Sequence, residues 1–454
     1  MLDFSDKIYT KIYQLALKTG NIAFVREYPP LYWNKQQLKF RTIQEALQKK
    51  FADTKLPCGL YTHFPFCERR CTFCKYYSEI ENRKEIFDAY LDALENELRF
   101  YQIDFSKVPL DNVFFGGGTP TLLGGKQIER YANIIYRFFK LQKDAQVTIE
   151  GTPETLNKNN LKTWKNAGVE RASIGVQSFN DRILKMVGRN HTVGDVFRVF
   201  DNIKKVGIRY TGIDLIWGLP GESAGTYQKT LKDTIRLNPD FIECYLLTSG
   251  GRVKIKPFYP PDIKIDEVIQ LFKEGFLKNG YQIDFRGNFI SFIKKGVKRD
   301  KAVNRNTVGV YDYRTFCLGI GAGASSEFSD IKYHLAPDAK KYIKDLKKEK
   351  TPPTYYGFFM SKDDYKRQYL IHRFGLYREL DKKRYYELFR KEFKEDFPQE
   401  LNYLKKIGVV SETKNKFIWH FQETELGRKD FFEHAIRHWY TPQYIQKLIK
   451  DFNL

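Results

Sequence analysis

An α/β fold, built as a partial six-stranded βα barrel, is what the sequence predicts, and three observations predict it. Between Leu60 and about Leu247, short β-type runs alternate with charged amphipathic stretches, the pattern of βα units around a parallel sheet. Clusters of glycine and polar residues fall directly after those runs, where parallel sheets of this kind gather their working residues. The flanks differ in character: residues 1–56 carry helical periodicity with polar breaks, and helical periodicity returns beyond about Lys350. The expected organisation is an N-terminal helical extension (1–56), a core with a following α/β segment (57–330) and a mainly helical C-terminal domain (331–454).

Taken in order, the expected strands are Leu60–His63, Asn112–Phe115, Val147–Glu150, Ala172–Val176, Thr211–Ile216 and Phe241–Leu247. The second runs into Gly116-Gly117-Gly118-Thr119-Pro120, the third into Glu150-Gly151-Thr152-Pro153, the fourth into Gln177-Ser178 and the fifth into Gly218-Leu219-Pro220-Gly221. If the strands are parallel, these clusters converge at one end of the barrel, beside the loop that follows the first strand. Beyond Gly250 the pattern loosens into a proline-rich basic stretch, and Gly319–Ala324 forms a tight glycine segment too loosely spaced to be assigned a nucleotide. A short strand pair, Val409–Ser411 and Phe417–Phe421, is expected in the last domain.

The chain has 454 residues, enough for a large core with one or two smaller units. Lysine and arginine number 77 against 55 acidic residues, a formal net charge of +22. The basic residues are scattered through amphipathic segments and do not gather in a tail or arginine-rich motif, so no specific nucleic acid is expected. The charge suits an anionic substrate or an acidic redox partner. No uncharged apolar run approaches the ~20 residues needed to cross a bilayer, and six cysteines in this length are too sparse for a disulfide framework. A soluble, cytoplasmic protein with reduced thiols is expected.

Cys67, Cys71 and Cys74 form a CxxxCxxC run within Tyr61-Thr62-His63-Phe64-Pro65-Phe66-Cys67. A [4Fe–4S] cube is held by cysteine thiolates at its irons, so three closely spaced thiolates leave one iron for another ligand. Structural zinc takes four protein ligands, and here Cys58 is the one candidate for a fourth. Cys244 and Cys317 lie far away in apolar surroundings, where an inert buried thiol is the ordinary case. His63 precedes Cys67 by four residues but lies in a β-type run, where an imidazole hydrogen-bonds near the cluster or packs in the core. His191 reads likewise as a structural residue or as one that supports a ligand-holding neighbour.

The ordered set Tyr61-x-His63-x-Pro65-Phe66-Cys67-x-x-x-Cys71-x-Phe73-Cys74, Gly116–Pro120, Gly175-Val176-Gln177-Ser178 and Asp214–Gly221 resembles the radical S-adenosylmethionine superfamily. Within it, the likeness is to the oxygen-independent coproporphyrinogen III oxidase-like and haem chaperone-like group, over roughly residues 57–250. The resemblance implies a [4Fe–4S] cluster on Cys67, Cys71 and Cys74, with S-adenosylmethionine on its fourth iron and reductive cleavage to a 5′-deoxyadenosyl radical. It implies that Tyr61 is the catalytic-site residue contacting the cluster-bound cofactor, that Gly117 meets the cofactor's amino end, that Glu150 hydrogen-bonds to it and that Phe73 packs near its adenine. A second S-adenosylmethionine is implied by Gly118, Thr119, Gln177, Arg189, Asp214 and Thr248, giving one or two molecules per chain. Glu150 and Asp214 read otherwise as helix caps or surface carboxylates, and Arg189 as a solvent-facing helical arginine. A low-potential electron donor such as flavodoxin or ferredoxin is implied as partner, and a tetrapyrrole is the leading substrate class.

The chain departs from both named subgroups. Where the oxidases resembled carry a fourth cysteine, it reads Cys74-Lys75-Tyr76; where the chaperones carry a His-Asn…Tyr-Trp segment, it reads Asn304-Arg305-Asn306-Thr307 to Tyr311-Asp312-Tyr313. Oxidation, transfer of a methyl or methylene group from a second cofactor, and haem carriage all stand as outcomes. The segment Phe421–Tyr440 resembles the group's C-terminal, substrate-covering domain.

Overall fold

The computed structural model describes residues 38–53, 56–248, 252–258, 260–286, 289–348, 350–420, 439–440 and 446. All six expected strands form: β1 (Cys58–Phe64), β2 (Pro109–Gly117), β3 (Lys140–Gly151), β4 (Arg171–Gln177), β5 (Tyr210–Trp217) and β6 (Phe241–Leu246). They lie side by side in that order, each parallel to the next. β4 is buried at every position, as a parallel strand covered on both faces must be.

The sheet continues past both ends of the expected set. Beyond β6 run β7 (Tyr281–Arg286) and β8 (Phe289–Lys294), with β8 antiparallel to both β6 and β7. On the other side β9 (Phe316–Ile320) pairs in parallel with β1, so the segment read only as a tight glycine turn is in part a strand. Antiparallel β10 (Ser325–Glu327), β11 (Ile331–Leu335) and β12 (Thr354–Phe359) follow, giving a twelve-stranded sheet in the order β12-β11-β10-β9-β1-β2-β3-β4-β5-β6-β8-β7. Its end strands do not pair with each other, so the barrel is partial. The boundary expected between residues 330 and 331 falls inside the β10–β11 hairpin, and strand pairing carries the sheet on to Phe359. A separate three-stranded sheet of β13 (Glu379–Asp381), β14 (Val410–Glu412) and β15 (Lys416–Trp419) contains the expected late strand pair. Phe421 and the rest of Phe421–Tyr440 up to 438 lie outside the described residues, as do 1–37; of the N-terminal extension, helix α1 (Phe40–Asp53) is described.

Helices cover the outer face. Between β1 and β2 runs α2 (Lys84–Phe100), then α3 (Gly125–Phe138), α4 (Lys158–Asn166), the short α5 (Asp181–Met186), α6 (Val193–Val206) and α7 (Ala224–Leu237), interleaved with the strands. Local chemistry sets their starts: Thr192 Oγ accepts from Asp195 N at 3.3 Å while the Asp195 carboxylate accepts from Thr192 N at 2.7 Å, a reciprocal capping box. One continuous apolar core joins α1–α4 and α6–α7 to the sheet. Among the described residues, no helix is long and apolar enough to cross a membrane.

The inner face follows the two-residue period of a strand. On β4 it presents Arg171 and Ser173, and on β6 Phe241, Glu243 and Tyr245; the Arg171 guanidinium lies 3.9 Å from the centre of the Phe241 ring. The N-terminal end is closed by residues 299–303: Arg171 Nε donates to Ala302 O at 2.9 Å, and Gln146 Nε2 donates to Val303 O at 3.0 Å. The other end is left to the loops that follow the parallel strands.

Candidate functional site

The loop after β1 carries Cys67, Cys71 and Cys74 across that open end. Its backbone is tied to β2: Gly118 N donates to Phe64 O at 2.7 Å and Thr119 N to Phe66 O at 2.8 Å. This close approach needs glycine. A Cβ on Gly118 would lie 2.5 Å from Phe66 O and 3.0 Å from Cys67 Sγ, and Gly117 has φ +115°, with a Cβ position 2.8 Å from His63 Nδ1.

The three thiols are partly buried and unpaired. Thr119 Oγ1 donates to Cys67 Sγ at 3.4 Å, and Arg189 Nη1 to Cys71 Sγ at 3.6 Å. Burial raises the Cys67 pKa, and raises that of Cys74 to about 11, with the Cys71 thiol adding to both. Each thiol thus lies within electrostatic reach of the others. Among the described residues no three His, Cys, Asp or Glu side chains close around a point for a single metal ion. A cluster binds its thiolates at separate irons and so holds them wider apart than one ion does. The donor set of three soft thiols, the glycine-lined cradle and the buried Arg189 Nε, which has no hydrogen-bond partner, fit a cluster with a bound ligand.

Cys58 is fully buried at the far end of β1, with its Sγ 3.3 Å from Gly59 O and its pKa raised by burial and by neighbouring Cys317. It does not join the three. Cys317 and Cys244 are likewise buried in the sheet.

The other expected site residues group around this loop. Glu150 Oε2 accepts from Gly117 N at 3.3 Å; burial, reinforced by the charge of Glu243, pushes its pKa up to about 7. Tyr61 OH lies 2.8 Å from His63 Nδ1, and its ring stacks on Phe114 with centroids 5.9 Å apart. Burial and the Glu150 charge raise the Tyr61 pKa. Gln177 closes β4 with φ +73°, an unusual conformation for a residue with a side chain. Arg189, 9% exposed, donates through Nη2 to Gly175 O and so stands beside the same strand end; the reading as a solvent-facing arginine does not hold. Asp214 accepts from Ser173 Oγ at 3.3 Å, and burial, then the charges of Glu243 and Glu150, raise its pKa.

Phe73 packs against the apolar cluster of Ile183, Val187, Leu219 and Leu247, and Thr248 follows Leu247 as a half-buried residue beyond β6. His191 is fixed between Glu154 Oε2 at 3.0 Å and Val176 O at 3.3 Å, a structural position. Burial opposes ionisation of Glu154, but the His191 hydrogen bond and the Arg189 charge hold its pKa down at about 2.

Sequence reasoning missed Arg171, Ser173, Glu243 and Tyr245. Arg171 and Ser173 carried a signal, falling six and four positions before Gln177 and so in phase with it along β4, whereas Glu243 is tied to Asp214 only by the pairing of β6 with β5. Arg171 Nη2 lies 3.5 Å from Glu243 Oε1, and Tyr245 OH donates to Glu243 Oε2 at 2.6 Å. Tyr76, two residues past Cys74, is 57% exposed, yet Glu150, Cys74, Asp214 and Glu243 all raise its pKa after burial. The exposure and the neighbours agree if its ring stands in the open interior, over the carboxylates.

A family model described as the Radical SAM superfamily matches residues 61–234. The chain is 28% identical over 331 residues to the oxygen-independent coproporphyrinogen III oxidase of Escherichia coli strain K12, covering 71% of this chain and 72% of that protein. It is 30% identical over 346 residues to the heme chaperone HemW of Buchnera aphidicola subsp. Acyrthosiphon pisum, covering 73% and 86%. The solved structure of E. coli coproporphyrinogen III oxidase (HemN), described as a radical SAM enzyme, superposes with TM-score 0.77 at 25% identity, covering 91% of this chain and 96% of that one.

Proposed function

Because the chain belongs to the radical SAM superfamily, in the group that includes both coproporphyrinogen III oxidases and the heme chaperone HemW, we propose that it is an enzyme of radical chemistry acting on a tetrapyrrole-class small molecule. The observation that carries the reading is the gathering of Cys67, Cys71 and Cys74 with Gly117–Thr119, Glu150 and Arg189 at the open end of the barrel. When bound, the cluster and S-adenosylmethionine supply one low-potential electron and a 5′-deoxyadenosyl radical.

The chain's own residues bind, orient and exclude water. Thr119 donates to the Cys67 sulfur, which favours its thiolate against the effect of burial, and Arg189 donates to the Cys71 sulfur. Gly117 and Glu150 offer a backbone edge and a carboxyl to an amino group. Tyr61 is the catalytic-site tyrosine, fixed by His63. Gly118, Thr119, Gln177, Arg189, Asp214 and Thr248 serve a second position, while Phe73 is an apolar wall for the adenine of the first. A low-potential electron donor with an acidic face suits the net charge of +22.

The Cys74-Lys75-Tyr76 sequence supports a second reading, haem carriage without turnover, because an aromatic residue stands where the oxidases resembled carry a fourth cysteine. One experiment separates them. Anaerobically reconstituted protein should hold about four irons per chain, lost in Cys67→Ala, Cys71→Ala and Cys74→Ala but kept in Cys58→Ala, and should form 5′-deoxyadenosine under strong reductant. Stable haem binding with no 5′-deoxyadenosine in the presence of candidate porphyrins would favour the carrier.

A further inference from the structure

Three carboxyl groups line the interior between the cysteine loop and the closed end of the barrel, in a chain whose net charge is +22. Asp214 and Glu243 are register neighbours on β5 and β6, and Glu150 is the register neighbour of Ser173, which donates to Asp214. The buried cation among them is Arg171, 1% exposed, and it serves them incompletely. Its Nε is committed to Ala302 O, and Nη2 reaches Glu243 only at 3.5 Å, longer than the 2.7–2.9 Å of a full charge-assisted bond. Nη1 has no hydrogen-bond partner. One guanidinium therefore faces three carboxyls without saturating any of them. Glu243 is held in place by Tyr245 at 2.6 Å, while its charge raises the pKa of both Asp214 and Glu150. A positive charge arriving in this space would relieve that repulsion.

We infer that Glu243 is a further ligand-binding residue of the barrel interior, its carboxylate taking the positive charge of the bound molecule, a sulfonium nucleoside. The inference rests on the proposed function, since it takes S-adenosylmethionine to bind here. Glu243 recognises the sulfonium form over the neutral thioether of the same nucleoside: the two molecules share ribose, adenine and amino-acid groups and differ in that charge. Asp214, its register neighbour, contacts the common groups of the molecule in the second position, and Glu243 supplies the discrimination. Arg171 and Tyr245 hold the carboxylate toward the interior and away from bulk water.

The test is equilibrium dialysis of the reconstituted full chain with S-adenosylmethionine and, separately, S-adenosylhomocysteine. Glu243→Gln, which keeps an acceptor for Tyr245 and removes the charge, should weaken S-adenosylmethionine binding about fivefold or more, change S-adenosylhomocysteine binding less than about twofold, and leave iron content unchanged. Glu243→Asp, which keeps the charge, should retain most of the discrimination. Glu243→Ser serves for the same comparison where Glu243→Gln does not fold. An affinity ratio unchanged from wild type, or equal weakening of both ligands in the Gln and Asp variants alike, would overturn the inference. If the wild type binds and cleaves S-adenosylmethionine but the ratio does not move, the inference alone fails; if the wild type binds neither ligand, the functional reading fails and takes the inference with it.

Discussion

His63 shows how much a residue's role depends on neighbours that sequence spacing cannot reveal. Burial pushes its pKa down to about 4, so the ring is neutral and carries one proton. The Tyr77 carbonyl, 3.1 Å from Nε2, can only accept, which places the proton on Nε2 and leaves Nδ1 to accept from Tyr61 OH. The motif put His63 beside the cysteines; this partner from beyond the loop makes it a fixed acceptor. Glu97 is a second case, unsignalled because it lies mid-helix in α2. Fully buried, it accepts from Gly321 N at 2.8 Å and Tyr101 OH at 3.1 Å, and also from Tyr342 OH. Burial outweighs these bonds and pushes its pKa from 4.5 up to about 7. A carboxyl raised on folding contributes stability that is complete below pH 4.5 and is lost as pH rises through 7, by roughly 3 kcal/mol for this rise. Urea denaturation at pH 5 and pH 8 should show the wild type less stable at pH 8 and Glu97→Gln with a smaller difference. Equal differences would contradict the account. Glu150 and Glu222, both pushed up to about 7 by burial, contribute in the same direction and account for the slope that remains.

Among the elements, β1–β6 were legible because short β-type runs alternate with amphipathic helical stretches, and β2–β5 each run into glycine or polar residues. β9–β12 were not. They are short or antiparallel, and β9 is followed by Gly321 and Gly323 at positive φ, so the sequence there reads as a turn. The end of β4 holds a feature that sequence could only hint at. Gln177 has φ +73°, and the pairing with β5 slips between Gly175 and Gln177. A non-glycine residue in this region costs of order 1 kcal/mol, retained where the surroundings require that side chain. Gln177→Gly should therefore raise stability by up to about 1 kcal/mol in thermal unfolding while lowering the number of S-adenosylmethionine molecules bound per chain from two toward one. A variant that is stabilised with no loss in dialysis would show that the strain serves something other than the second cofactor.

For the whole molecule, the fold class came from the alternation of strand and helix patterns, while the extent of the sheet came only from pairing between segments far apart in sequence. β9 lies beside β1 across more than 250 residues, and the hairpin that crosses residue 330 has no local signal of belonging to the core. The candidate site was legible to the same degree. Residues within motifs after β1–β5 were found, whereas Arg171, Glu243 and Tyr245 emerge once neighbouring strands are aligned. All of them serve one claim, that three thiolates hold a cluster whose remaining iron is open to a ligand lying across Gly117 and Glu150. Electron paramagnetic resonance of the reconstituted, dithionite-reduced chain, recorded with and without S-adenosylmethionine, addresses it most directly. The account predicts a [4Fe–4S] signal in the wild type whose g-values shift on adding S-adenosylmethionine and whose shift is diminished in Glu150→Ala; a cluster spectrum indifferent to S-adenosylmethionine, or no cluster at all, would contradict it.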